Sequence, residues 1–222
     1  MGKLIVIEGL DGCGKSTQLS LLEENLKKNG VNCRSVSFPD YEHASSTLVK
    51  QYLAGEFGNR PEDVGAYAAS AFYAVDRYAS FKKYWGNYYR SGGTVIAGRY
   101  VTSNAVHQAS KLDPAKWEEY LAWLYDFEYE KMGIPKPDAV LFLDMPIEIS
   151  QKLMSGRYGG NEQKKDIHER DLSYLEHCRR AALFTARYSG WQILPCAENG
   201  QARSIQEIAV DILARVLPIV RK

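Results

Sequence analysis

Cysteine is scarce. The 222 residues hold only Cys13, Cys33, Cys178 and Cys196, with no CxxC pair and no spacing that suits a metal site. That argues against a disulfide scaffold or a thiolate zinc centre, and reduced thiols in a cytosolic protein are expected. Excess charge is missing too: 28 Lys and Arg face 27 Asp and Glu, a formal net charge of +1. So weak a global field does not favour polymeric nucleic acid as a partner, and any anion binding must be local. No apolar run nears the roughly 18 residues of a bilayer span. The apolar stretch 4–7 is too short for a secretory leader, and Val6 stands where a Met-Gly myristoylation signal needs Ser or Thr. No membrane partner and a cytoplasmic location are therefore expected. No repeat, low-complexity tract or linker divides the chain, so a single domain over 1–222 is expected.

What is present is alternation. Short apolar runs at 3–8, 33–38, 94–97, 138–144 and 191–195 read as strands. Helical spacing occupies 15–28, 44–53, 61–89, 103–111, 114–132, 147–154, 164–187 and 204–220, the last opened by a Ser204/Glu207 capping box. The Gly-rich stretch 155–163 reads as a mobile loop. Strands alternating with helices predict an α/β fold: a doubly wound, five-stranded parallel sheet with helices on both faces.

The chemistry begins at Gly9-Leu10-Asp11-Gly12-Cys13-Gly14-Lys15-Ser16, a full G-x-x-x-x-G-K-[ST] match between a predicted strand and a predicted helix. Backbone N–H groups from Gly9 to Thr17 can form an anion nest, strengthened by the helix dipole. Lys15 can reach the β- and γ-phosphates of ATP, and the Ser16 hydroxyl suits Mg²⁺. The motif leaves the acceptor open.

On the acceptor side, several segments in order resemble the thymidylate kinase family. They are G-L-D-G-C-G-K-S-T-Q at 9–18, F-P-D-Y at 38–41, F-Y-A-V-D-R at 72–77, G-R-Y-V-T-S-N-A at 98–105, P-K-P-D-A-V-L-F-L-D at 135–144 and D-I-H-E-R-D at 166–171. The resemblance covers nearly the whole chain. It implies transfer of the ATP γ-phosphate to dTMP with Mg²⁺. Tyr73 would stack on the base, with Phe72 in the core, and Arg77 would donate to a base carbonyl. Phe38, Pro39 and Tyr41 would wall the site, Arg99 would grip the dTMP phosphate, and Asn104 and Gln108 would reach the base or phosphate. His107 would be a pocket wall. Asp11 would orient the acceptor's 3′-hydroxyl or hold Mg²⁺ through water.

The phosphate loop carries no arginine, so the resemblance places the remaining cation in a lid at 155–165. Arg157 is the first candidate, followed by Lys164, Lys165 and Arg170, and Glu169 would close on the substrate or metal. Gly98 departs from the family's aspartate. The metal then rests on Asp11 and Ser16 alone, or Asp144 or Glu169 substitutes. A homodimer is implied, through the Ala- and Tyr-rich helix at 61–89. Two alternatives stand beside dTMP kinase: another nucleoside monophosphate kinase, and a nucleotide-binding regulatory protein with weakened catalysis.

Overall fold

The computed structural model describes residues 1–157 and 172–221. The elements run β1 (Lys3–Gly9), α1 (Lys15–Lys28), β2 (Cys33–Ser37), α2 (Thr47–Leu53), α3 (Ala66–Ser80), α4 (Gly86–Arg90), β3 (Thr94–Gly98), α5 (Val101–His107), α6 (Trp117–Tyr125), β4 (Ala139–Asp144), α7 (Ile147–Arg157), α8 (Leu172–Tyr188), β5 (Gln192–Pro195), β6 (Ala197–Glu198), β7 (Gln201–Ala202) and α9 (Ile205–Val220).

The first five strands form one parallel sheet in the order β2-β3-β1-β4-β5. The α/β expectation and its five-strand count hold. The antiparallel pair β6–β7 is additional; at two residues per strand it offers no periodicity to read.

Alternation along β1 divides the core. Leu4 and Val6 join Val95, Ala97, Trp85, Tyr100, Tyr120 and Leu124 on one face. Ile5 and Ile7 join Leu22, Leu26, Ile96, Leu141, Ile208 and Ile212 on the other. Successive side chains in a strand point to opposite faces, and both faces here are covered.

Several predicted helices are interrupted. The stretch 61–89 becomes a 3₁₀ turn (Pro61–Asp63), α3, a π-helical segment (Phe81–Trp85) and α4. The stretch 114–132 becomes a 3₁₀ turn, α6 and a π-helical segment (Asp126–Lys131). Likewise 44–53 opens in a 3₁₀ turn, and 103–111 divides into α5 and a closing 3₁₀ turn. Hydrophobic spacing near 3.6 does not separate these hydrogen-bonding registers. Residues 155–157, expected in a loop, form the last turn of α7.

Register sets the site. Ile7 on β1 and Ser37 on β2 both pair with Gly98 on β3, and Gly9 pairs with Leu143 on β4. The carboxyl ends of four strands therefore lie side by side, where open α/β sheets bind ligands. Among the described residues no helix is long and apolar enough to cross a membrane.

Helix α9 closes one face through the capping box read from the sequence. Ser204 Oγ accepts from Glu207 N at 3.2 Å, and Ser204 N donates to Glu207 Oε2 at 3.0 Å. Replacing Ser204 by Ala should lower unfolding free energy by about 1 kcal/mol in chemical denaturation.

Candidate active site

The loop between β1 and α1 requires glycine at two positions. Gly12 has φ 77° and Gly14, the N-cap of α1, has φ 87°. A Cβ at Gly12 would come within 2.7 Å of Ser150 O and Met154 Cγ, because α7 lies against the loop. Lys15 is buried and folds back, donating to Leu10 O at 2.7 Å. Its Nζ is 3.8 Å from Asp11 Oδ1. Ser16 and Thr17 are exposed at the start of α1.

Cys13 is buried beneath this loop, 3.8 Å from Lys15 Nζ. Burial pushes its thiol pKa up despite the ammonium nearby. A nucleophilic thiolate needs the opposite environment.

Beside the loop opens a cleft of about 290 Å³. Phe38, Pro39, Tyr41, Tyr73, Arg77, Arg99, Asn104 and Gln108 all line it, together with Asp11 and His107. The residues named for the acceptor thus converge although they span four segments of chain. Phe38 is buried and tilts against Tyr100 at 6.0 Å, while Tyr41 is half exposed. Asp76 holds the segment they sit on, accepting from Asp40 N at 2.7 Å and Ser45 Oγ at 2.6 Å. Tyr73 meets Tyr52 edge-on at 6.3 Å. Tyr52 is held in turn by Lys111, whose Nζ donates to its hydroxyl at 2.8 Å. Phe72 packs instead on Phe57 in a small satellite cluster.

Arg99 follows β3 with φ 64°, a left-handed backbone that costs a non-glycine residue about 1–3 kcal/mol. Its Nη2 donates to Asp11 Oδ1, and its Nη1 lies 3.3 Å from His107 Nε2. A guanidinium can only donate, so that imidazole nitrogen carries the lone pair. Burial works against the Arg99 charge, but Asp11 and then Glu8 more than offset it and raise its pKa.

Arg77 is more constrained than its place in the sequence announces. It lines the cleft on the same face of α3 as Tyr73, yet it is 1% exposed and half its fork is occupied. Nε and Nη2 donate to Glu128 at 2.7 and 2.6 Å. Burial opposes this charge too, and Glu128 outweighs the penalty.

Two buried carboxylates beside the cleft escaped the sequence reading. Glu128 lies in the π-helical segment after α6 and is fully buried. A charge continuing the apolar stripe Leu121, Leu124 was the available signal. Glu8 ends β1, also fully buried, and accepts from Thr102 Oγ1 at 2.6 Å, Ser103 Oγ at 2.7 Å and Gly9 N at 3.0 Å. It ties the loop to the start of α5.

The proposed metal substitute Asp144 is engaged elsewhere: Arg179 donates to both its oxygens, at 3.0 and 3.1 Å. Arg157 ends α7. Lys164, Lys165, Glu169 and Arg170 lie outside the described residues.

Residues 7–208 match the family model described as "Thymidylate kinase". The chain belongs to the thymidylate kinase family. It is 31% identical over 190 residues to the thymidylate kinase of Mycobacterium tuberculosis, covering 85% of this chain and 87% of that one. It is 25% identical over 217 residues to the probable thymidylate kinase of Pyrobaculum aerophilum, covering 98% and 97%. A solved thymidylate kinase from Candida albicans superposes with a TM-score of 0.71 at 20% identity, over 98% of this chain and 92% of that one. That last likeness supports the fold. Together, the sequence relationships place the chain among phosphotransferases of the nucleoside monophosphate kinase class.

All four cysteines are buried, and burial pushes Cys178 and Cys196 up to about 12. Native protein at neutral pH should therefore take up iodoacetamide far more slowly than unfolded protein. Mass spectrometry of the Cys13 peptide is the check.

Proposed function

We propose that this chain phosphorylates dTMP to dTDP with ATP as donor, by direct in-line transfer from the phosphate loop to the cleft beside it. One observation carries the arrangement: Asp11 belongs to the phosphate loop and also lines the acceptor cleft, in contact with Arg99. Donor and acceptor phosphates thus meet across a single carboxylate.

The loop amides from Gly9 to Thr17 seat the ATP phosphates, and Lys15 exchanges Leu10 O for a phosphate oxygen. Arg99 turns its remaining donors to the dTMP phosphate, with His107 fixing its plane. Asp11 orients the sugar 3′-hydroxyl. Tyr73 stacks on the base, Phe38, Pro39 and Tyr41 close the walls, and Gln108 supplies a further polar contact.

The base is read by a donor and an acceptor. Asn104 Nδ2 donates to Ser70 O at 3.1 Å and to Glu128 Oε1 at 3.0 Å, which fixes the sense of its amide. Its Oδ1 is left to accept from the base, while Arg77 Nη1 donates. Thymine offers a carbonyl and an N–H on the matching edge; cytosine offers the reverse.

Asp11 and Ser16 are hard oxygen donors, the type Mg²⁺ takes. When bound, the ion neutralises charge on the phosphates. Arg157 and Glu169 complete the donor side. The setting is the cytoplasm.

The assembly is a homodimer through α3. Tyr67, Val75 and Tyr78 are large exposed apolar residues on that helix, at spacings that share one face. Val75→Lys should shift the protein toward monomer in analytical ultracentrifugation.

A coupled assay with ATP tests the chemistry. Among a panel of monophosphates dTMP should give the highest kcat/KM. Lys15→Ala should lower kcat about 10²-fold or more. Arg77→Ala should chiefly raise KM for dTMP. Equal losses with every acceptor would remove Arg77 from base reading.

A further inference from the structure

We infer that Glu128 is a positioning residue that sets base selectivity by holding Arg77 and Asn104 in one fixed donor–acceptor pair. The inference rests on the proposal that those two residues read the base, and it goes beyond it by naming what makes them a reader.

Both oxygens of Glu128 are engaged. Oε2 accepts Arg77 Nε at 2.7 Å; Oε1 accepts Arg77 Nη2 at 2.6 Å and Asn104 Nδ2 at 3.0 Å. Glu128 is 0% exposed and lies 51 residues from Arg77 in sequence. The geometry has two consequences.

First, the Nε/Nη2 edge of a guanidinium is one that can close bidentately on a phosphate. Glu128 fills that edge. Arg77 therefore cannot compete with Arg99 for the acceptor phosphate, and Nη1 is the amino group left to the cleft. Among the described residues Nη1 has no acceptor. The nucleotide enters in one sense, with its base at Arg77 and its phosphate at Arg99.

Second, an amide side chain can turn over and exchange its oxygen for its nitrogen. Glu128 and Ser70 O both demand the nitrogen of Asn104, so the oxygen faces the base. With Glu128 gone, one of those two demands disappears. A turned amide would present N–H to the base, which suits the unprotonated ring nitrogen of cytosine.

The π-helical register of Asp126–Lys131 carries Glu128 here. The wider turn breaks the α-helical phase after α6.

The test is Glu128→Gln in the full chain, assayed with ATP against dTMP and dCMP. Glutamine keeps the volume but loses the charge and one acceptor. KM for dTMP should rise about tenfold with kcat held within about threefold, and the dTMP/dCMP ratio of kcat/KM should fall by a similar factor. In an Arg77→Ala background, Glu128→Gln should add no further loss of selectivity through Arg77. Glu128→Asp keeps the charge but shortens the reach, and should fall between wild type and Gln. Unchanged KM and selectivity in a folded Glu128→Gln variant would overturn the inference, as would equal losses for dTMP and dCMP. If neither variant folds, by circular dichroism and thermal melting, Glu128 serves the core and the inference fails. Failure of base reading itself would appear separately, as an Arg77→Ala variant that weakens dTMP and dCMP alike.

Discussion

Arg77 cannot lose its proton, and it is buried. That constraint organises the acceptor half of the molecule. An unpaired charge in such a place costs several kcal/mol even after relaxation. Glu128 answers it with two short bonds and also accepts from Asn104 Nδ2, which donates to Ser70 O as well. Three elements, α3, α5 and the segment after α6, are thereby locked to one another behind the cleft.

The phosphate end is built on the opposite principle. Lys15 is bound to a loop carbonyl that a phosphate oxygen can replace, and Arg99 is bound to a carboxylate oxygen of Asp11 that leaves further donors on its fork. Arg99 is held in a strained left-handed backbone by its neighbours, its N–H donating to Ile7 O at 3.2 Å across the β1–β3 register. Its guanidinium is therefore aimed by the sheet rather than by its own rotamer freedom. Glu8 serves the same end, pinning the loop to α5 from below.

How far the residues announce this depends on the range of the interaction. The phosphate loop is a local structure, fixed by glycines at φ-positive positions and a Lys-Ser pair, and it is legible without any fold. The central strands β1, β3 and β4 are legible because they are buried almost throughout and their runs are mostly apolar, whereas the edge strands β2 and β5 are shorter signals, partly polar and partly exposed. The cleft was readable only through the ordered resemblance, since 38–41, 73–77, 99–108 and Asp11 share no local pattern. The Arg77–Glu128 and Glu8–Thr102 contacts were not readable, as they join residues 51 and 94 positions apart. The π-helical segments were invisible for a different reason. Their hydrophobic spacing mimics an α-helix, and tertiary packing selects the register. The roles given to Arg157 and Glu169 still rest on resemblance.

Gly98 shows how the two halves constrain each other. A Cβ there would lie 3.0 Å from Leu19 Cδ2, so an aspartate side chain at this position would need the end of Leu19 to shift by a few tenths of an ångström. The neighbouring carboxylates do not stand in for it. Glu8 is spent on Thr102, Ser103 and Gly9, and Asp144 on Arg179. Among the described residues lining the cleft, Asp11 is the one carboxylate. In the proposed reaction it must therefore serve twice. It holds Arg99, whose remaining donors turn to the acceptor phosphate, and it also faces the sugar and the metal. A second acid at position 98 would separate those duties; its absence leaves both on Asp11.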